Sequence, residues 1–111
     1  MTSLYAKATR LLSDLIAIQS FSREEDGTAS ALKNFLQQEG VETYRKGNNL
    51  WAKNKHFSPT KPTVLLNSHH DTVKPNVGYT RDPFKAEVVD GKLFGLGSND
   101  AGGPLVSLIA A

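Results

Sequence analysis

The residues best suited to chemistry lie in two stretches. The first is Ser68-His69-His70-Asp71-Thr72-Val73. Side chains two apart on extended backbone share a side, so His69 and Asp71 face one site while His70 faces away. An imidazole that ligates a metal needs an acceptor on its other nitrogen to fix its tautomer, and a nearby carboxylate is a usual choice. The second stretch is Gly95-Leu96-Gly97-Ser98-Asn99-Asp100-Ala101-Gly102-Gly103-Pro104. Its spacing fits neither G-x-G-x-x-G nor a Walker loop, and Asp100 would put negative charge where a phosphate should sit. Its glycines instead let the backbone bend tightly around a carboxylate at a helix start. A carboxylate with imidazole partners, in a chain without Cys, suits zinc or another divalent metal. Taken alone, H-x-D is better explained by a buried polar cluster or by solvated loop tips. The preceding strand and the Gly-rich loop favour the metal.

The elements that must position these residues are legible in outline. Leu4, Ala8, Leu11, Leu12, Leu15 and Ile18 follow the spacing of one helical face. Ser22 and Glu25 form a capping-box pattern that predicts a second helix running towards Gln38, with Gly40 as its left-handed stop. Residues 41–45 and 50–53 read as short strands about a Gly47-Asn48-Asn49 turn. Residues 63–68 open with a continuous apolar run, as expected of a strand buried on both faces. Asp90-Gly91 joins residues 86–89 and 92–94 in a hairpin. Residues 104–111 begin a helix with Pro104 and stop after about two apolar turns. The expected fold class is α/β, with helices packed on a mixed β-sheet. The abrupt end leaves two readings open, a short terminal helix packed on the sheet or a longer chain cut at this point.

The chain has 111 residues, a net charge of +2, 39% hydrophobic and 22% charged residues, and no Cys. That describes one ordinary globular domain, burying roughly 65% of its unfolded surface if compact. There is no run of three consecutive basic residues, so a nucleic-acid footprint is not expected. Nor does any stretch approach the ~18 apolar residues of a membrane helix, and the N-terminus lacks a signal-peptide core. A cytoplasmic location is the expectation. His56, Trp51, Tyr44 and Asp82 read as loop or strand residues without a role in the site, and His70 as structural.

H-x-D after a strand, then Asp100 in a Gly-rich loop about thirty residues on, resembles the co-catalytic zinc amidohydrolase and metallopeptidase family. That family includes acetylornithine deacetylase, succinyl-diaminopimelate desuccinylase, aminoacylase and the glutamate carboxypeptidases. The stretches Asp82-Pro83-Phe84, Asp90-Gly91-Lys92-Leu93-Phe94-Gly95 and Asn99-Asp100 look most like the acetylornithine deacetylase branch, which acts in arginine biosynthesis. The resemblance implies a two-zinc site, with Co2+ or Mn2+ as alternatives, in which His69 ligates one ion and Asp100 bridges both. It makes Asp71 the catalytic-site carboxylate that orients the ligands, and it implies a cis peptide after Asp100. The family often continues Met-Lys-Gly-Gly; here Ala101-Gly102-Gly103-Pro104 keeps the ligand and drops the lysine.

The implied activity is removal of an N-acyl group from a small-molecule N-acyl amino acid by a homodimeric complete enzyme. The resemblance makes residues 1–111 the N-terminal part of a metal-binding catalytic domain, without its dimerisation or lid domain. The family's adjacent Glu pair, a further acidic ligand and a final His would lie beyond residue 111. The 111-residue chain alone is therefore expected to be inactive. The competing expectation is a non-catalytic binding module whose half metal site is completed by a partner chain.

Overall fold

The computed structural model describes residues 2–111. Its first helix, α1 (Leu4–Ala17), starts where the Ser3 hydroxyl accepts the Ala6 amide at 3.1 Å. Such a cap satisfies one of the helix's unpaired first-turn donors. Its apolar stripe buries Leu11, Leu15 and Ile16, while Leu4 at the open end stays exposed. The second helix, α2 (Asp26–Gln38), buries Ala29 and Leu32. It ends at Gly40, where the amides of Gly40 and Val41 return to the carbonyls of Gln37 and Leu36. This is the paired bond pattern of a Schellman stop.

The expected capping box does not form. Glu25 occupies the cap position without a side-chain bond, and the Ser22 hydroxyl goes elsewhere. The third helix, α3 (Gly103–Ala110), buries Leu105 and Val106 against Leu11, Leu15 and Leu32. These five side chains form one contiguous core cluster, with Leu50, Phe35 and Ile109 packed on its margin.

The helix–strand mixture expected of an α/β chain is present, and its β-structure takes the form of two antiparallel hairpins. In the first, β1 (Thr43–Lys46) pairs with β2 (Asn49–Ala52), which places Tyr44 opposite Trp51. Their rings stack 5.9 Å apart. In the second, β3 (Glu87–Val89) pairs with β4 (Lys92–Phe94) through the Asp90-Gly91 turn. Among the described residues, the one parallel contact outside them joins Phe21 to Thr72.

Residues 63–68 do not form the buried strand their composition predicts. Val64 and Leu65 are each 83% exposed, and no ladder partner lies beside them among the described residues. Strand formation needs a neighbour to take up the backbone N–H and C=O groups. Both hairpins are instead closed upon themselves. No described helix is long and apolar enough to cross a membrane.

Candidate metal centre

Residues 69–72 are held by a short clasp rather than by a sheet. The Thr72 amide donates to the Ser20 carbonyl at 2.8 Å, and the Ser22 amide donates to the Thr72 carbonyl at 3.2 Å. The Ser20 hydroxyl, which is buried, donates to the His70 carbonyl at 3.0 Å. The segment after α1 thus runs alongside the H-x-D segment and fixes its path.

Alternation then sends the two histidines in opposite directions. His70 turns inward. Its Nε2 lies 2.9 Å from the Asn48 carbonyl, which can only accept, so this nitrogen carries the proton. Its Nδ1 lies 2.7 Å from the buried Thr28 hydroxyl. His70 therefore ties α2 and the first hairpin to the clasp and is unavailable to a ligand.

His69 turns outward with Asp71. Its Nδ1 lies 3.1 Å from Asp71 Oδ1 and 3.1 Å from the Asp71 carbonyl. Its Nε2 lies 3.0 Å from Asp100 Oδ1. All three residues singled out in the sequence meet in one line, Asp71–His69–Asp100.

Asp100 reaches this position through the Gly-rich loop. Gly97 has φ of +79°, and a Cβ there would stand 2.7 Å from the Thr72 methyl. A Cβ on Gly102 would stand 2.6 Å from Leu12 Cδ1 and 2.9 Å from the Gly97 carbonyl. Only hydrogen fits at these places, so the loop can press against both the clasp and α1. The Gly102 amide closes the turn on the Gly97 carbonyl at 2.7 Å. Asp100, at φ −127° and ψ 89°, breaks the helical path at the apex, and the Asp100–Ala101 peptide is cis.

The electrostatics follow from the line of charges. Desolvation works to lower the His69 pKa. It is outweighed by the bond to the Asp71 carbonyl, the bond to Asp100 and the charges of both carboxylates, so the pKa is raised. The Ser22 hydroxyl, 2.5 Å from Asp71 Oδ2, is the main reason the Asp71 pKa is lowered. Burial opposes that shift, and the His69 charge adds to it.

The donor set suits a divalent ion. Two ligands of a tetrahedral zinc at ~2.0–2.1 Å stand about 3.3 Å apart, close to the observed His69–Asp100 separation. Asp71 occupies the outer position that fixes a ligating imidazole. The set is nonetheless small. No group of three or more His, Asp or Glu side chains converges on a metal position among the described residues. The His69 side chain is 51% exposed and that of Asp100 is 90% exposed. Behind them is a cavity of only about 20 Å³, too small for a substrate.

Sequence reasoning missed Ser22, Ser20, Thr28 and Asn48 as the supports of the site. Only Ser22 carried a signal, and its spacing to Glu25 pointed to a helix cap instead.

The model of the peptidase M20/M25/M40 family matches residues 65–111, which include His69, Asp71 and Asp100. Over most of its length the chain is also similar to proteins named succinyl-diaminopimelate desuccinylase. That of Acidiphilium cryptum is 35% identical over 105 residues, covering 91% of this chain and 28% of the relative. That of Psychromonas ingrahamii is 33% identical over 107 residues, covering 91% and 28%. That of Rickettsia bellii is 28% identical over 113 residues, covering 93% and 28%. The chain thus spans less than a third of the length of these relatives. Both findings support the M20 metallopeptidase family. The acetylornithine branch and its placement in arginine biosynthesis gain no support from these relatives.

Proposed function

We propose that this chain is a portion of an M20-family metal-dependent amide hydrolase and supplies part of its metal site. In this reading His69 and Asp100 are metal ligands, and Asp71 orients His69. The observation that carries it is the Asp71–His69–Asp100 line, assembled from segments thirty residues apart. Bound zinc would supply Lewis acidity at an amide carbonyl and a water made acidic enough to react near neutral pH. The chain's own part is to hold the ring of His69 and to present Asp100 on a bent, glycine-built apex. Asp71 faces His69 Nδ1 and orients the ring. Catalytic zinc commonly has three protein ligands, and a general base must take the water's proton. The described residues supply two ligands and no base within reach, so the remaining groups come from elsewhere.

The substrate class proposed is an N-acyl amino acid, cleaved by water to a carboxylate and a free amine. The names of the relatives favour N-succinyl-diaminopimelate, with N-acetylornithine as the comparison substrate. A cytoplasmic homodimer belongs to the same proposal. The test is amine release from both substrates by the native gene product loaded with Zn2+ or Co2+. Release that is lost in His69→Ala and Asp100→Ala supports the reading. No release from either substrate, or full activity in both variants, overturns it.

A second reading, a binding module whose half-site a partner chain completes, is favoured by the two-donor set and the exposure of Asp100. It predicts stoichiometric zinc binding in the presence of that partner and no deacylation.

A further inference from the structure

We infer that Ser22 is a positioning residue for the metal-binding histidine: its hydroxyl locks Asp71 so that Asp71 keeps the His69 proton on Nδ1 and leaves Nε2 free for a metal. The inference rests on the role proposed above for His69.

The neutral His69 ring faces a contest between two carboxylates. Asp71 takes a proton on Nδ1 through Oδ1 and the backbone carbonyl, both at 3.1 Å. Asp100 takes a proton on Nε2 through Oδ1 at 3.0 Å. Only the first tautomer leaves the lone pair of Nε2 available to a metal. The outcome turns on which carboxylate is held in place. Asp71 is fixed at both oxygens, with His69 on Oδ1 and the Ser22 hydroxyl 2.5 Å from Oδ2. Asp100, with its side chain 90% exposed, has water as its alternative partner.

Ser22 can act as a fixed post because its backbone is fixed. Its amide donates to the Thr72 carbonyl at 3.2 Å, and the adjoining Phe21–Thr72 bridge sets the register between the two segments. Without the hydroxyl, the Asp71 carboxylate would lose its second partner and be free to swing towards solvent.

The experiment uses the native gene product with 15N-labelled histidine, metal-free and well above the His69 titration range. The nitrogen shifts of His69 report the tautomer ratio. Wild type is expected to favour Nδ1–H. In Ser22→Ala the ratio is expected to fall about 3-fold or more, the worth of one hydrogen bond. Zn2+ affinity is expected to fall about 10-fold, as for other lost outer-shell partners. Ser22→Thr, which keeps the hydroxyl, should restore both readouts. Should Ser22→Ala lose its fold, Ser22→Cys carries the test. An unchanged tautomer ratio in a folded variant lacking the hydroxyl, or equal losses in Ser22→Ala and Ser22→Thr, overturns the inference. If wild type binds Zn2+ without involving His69, the functional reading fails, while the metal-free tautomer ratio still decides the role of Ser22.

Discussion

Adjacent histidines with opposite duties make the sharpest residue-scale comparison. His70 is bonded at both nitrogens, to Asn48 and Thr28, whereas His69 is bonded to the carboxylates of the site. His70→Ala should therefore cost about 1–3 kcal/mol in urea unfolding, since the buried Thr28 hydroxyl and the half-buried Asn48 carbonyl each lose a partner. It should change zinc affinity little. His69→Ala should do the reverse, with affinity falling more than about 100-fold, beyond the loss of an outer partner. Equal effects of the two in either titration would contradict the division of roles. Titration adds a second prediction. The raised pKa of His69 means that its contribution to stability is complete below about 6.5 and is lost as pH rises through the higher folded value. The lowered pKa of Asp71 makes its contribution complete above about 3.9 and lost as pH falls through the folded value. Unfolding measured between pH 2 and pH 9 should show greatest stability between these limits, with shallow slopes because both groups meet solvent. His69→Ala should remove the slope on the alkaline side. Zinc must displace the shared proton, so its affinity should climb across the same alkaline interval, with proton release measurable by calorimetry in two buffers. His69 and Asp71 were legible because period-2 alternation depends on local backbone alone, and Asp100 because the glycines around it mark a tight bend at a helix start. Ser22 was not, because its partner Asp71 lies 49 positions away and a nearer motif competed for it.

Elements held by local contacts match their sequence signals, and those that need a distant neighbour do not. The helical hydrogen bonds of α1, the Gly40 stop and the Asp90-Gly91 turn are all satisfied within a few residues of themselves. The run at 63–68 carries strand propensity without a partner, and propensity alone cannot satisfy a ladder. Amide exchange should expose the contrast. The amides of residues 63–67 should exchange near the rate of an unstructured peptide, while those in the middle of α1 should be protected up to the global unfolding limit. Protection of 63–67 approaching that of α1 would mean that these amides are paired in solution. The Gly-rich loop is the other element whose geometry decides the site. Gly97→Ala places a Cβ at positive φ and against Thr72, and should destabilise by about 1–3 kcal/mol. It should also displace Asp100, so zinc affinity should fall even in protein that remains folded. Loss of stability with unchanged affinity would show that the apex does not depend on the loop's close approach to the clasp.

On the scale of the whole molecule, the surface is too large for its mass. The accessible area is 8126 Å², whereas a compact monomer of this mass exposes about 6,000 Å². The radius of gyration is 14.8 Å, against about 13 Å for a compact domain of this length. The chain thus buries about 54% of its unfolded surface, short of the roughly 65% expected from length alone. Much of the excess is apolar. Val64 and Leu65 are each 83% exposed, Leu66 57% and Val73 75%, and they sit on backbone with no ladder partner among the described residues. A row of free backbone donors and acceptors flanked by β-branched and aliphatic side chains is a template for pairing with another chain. Self-association that increases with concentration is therefore expected in sedimentation velocity, together with binding of a hydrophobic dye. Leu65→Lys separates this surface effect from packing. At an exposed position the substitution should change unfolding stability by no more than about 0.5 kcal/mol. The added charge should suppress association, because lysine on an open strand opposes edge pairing. A loss of more than about 1 kcal/mol would show instead that residue 65 packs against the rest of the molecule in solution, and the excess surface would then have to lie elsewhere.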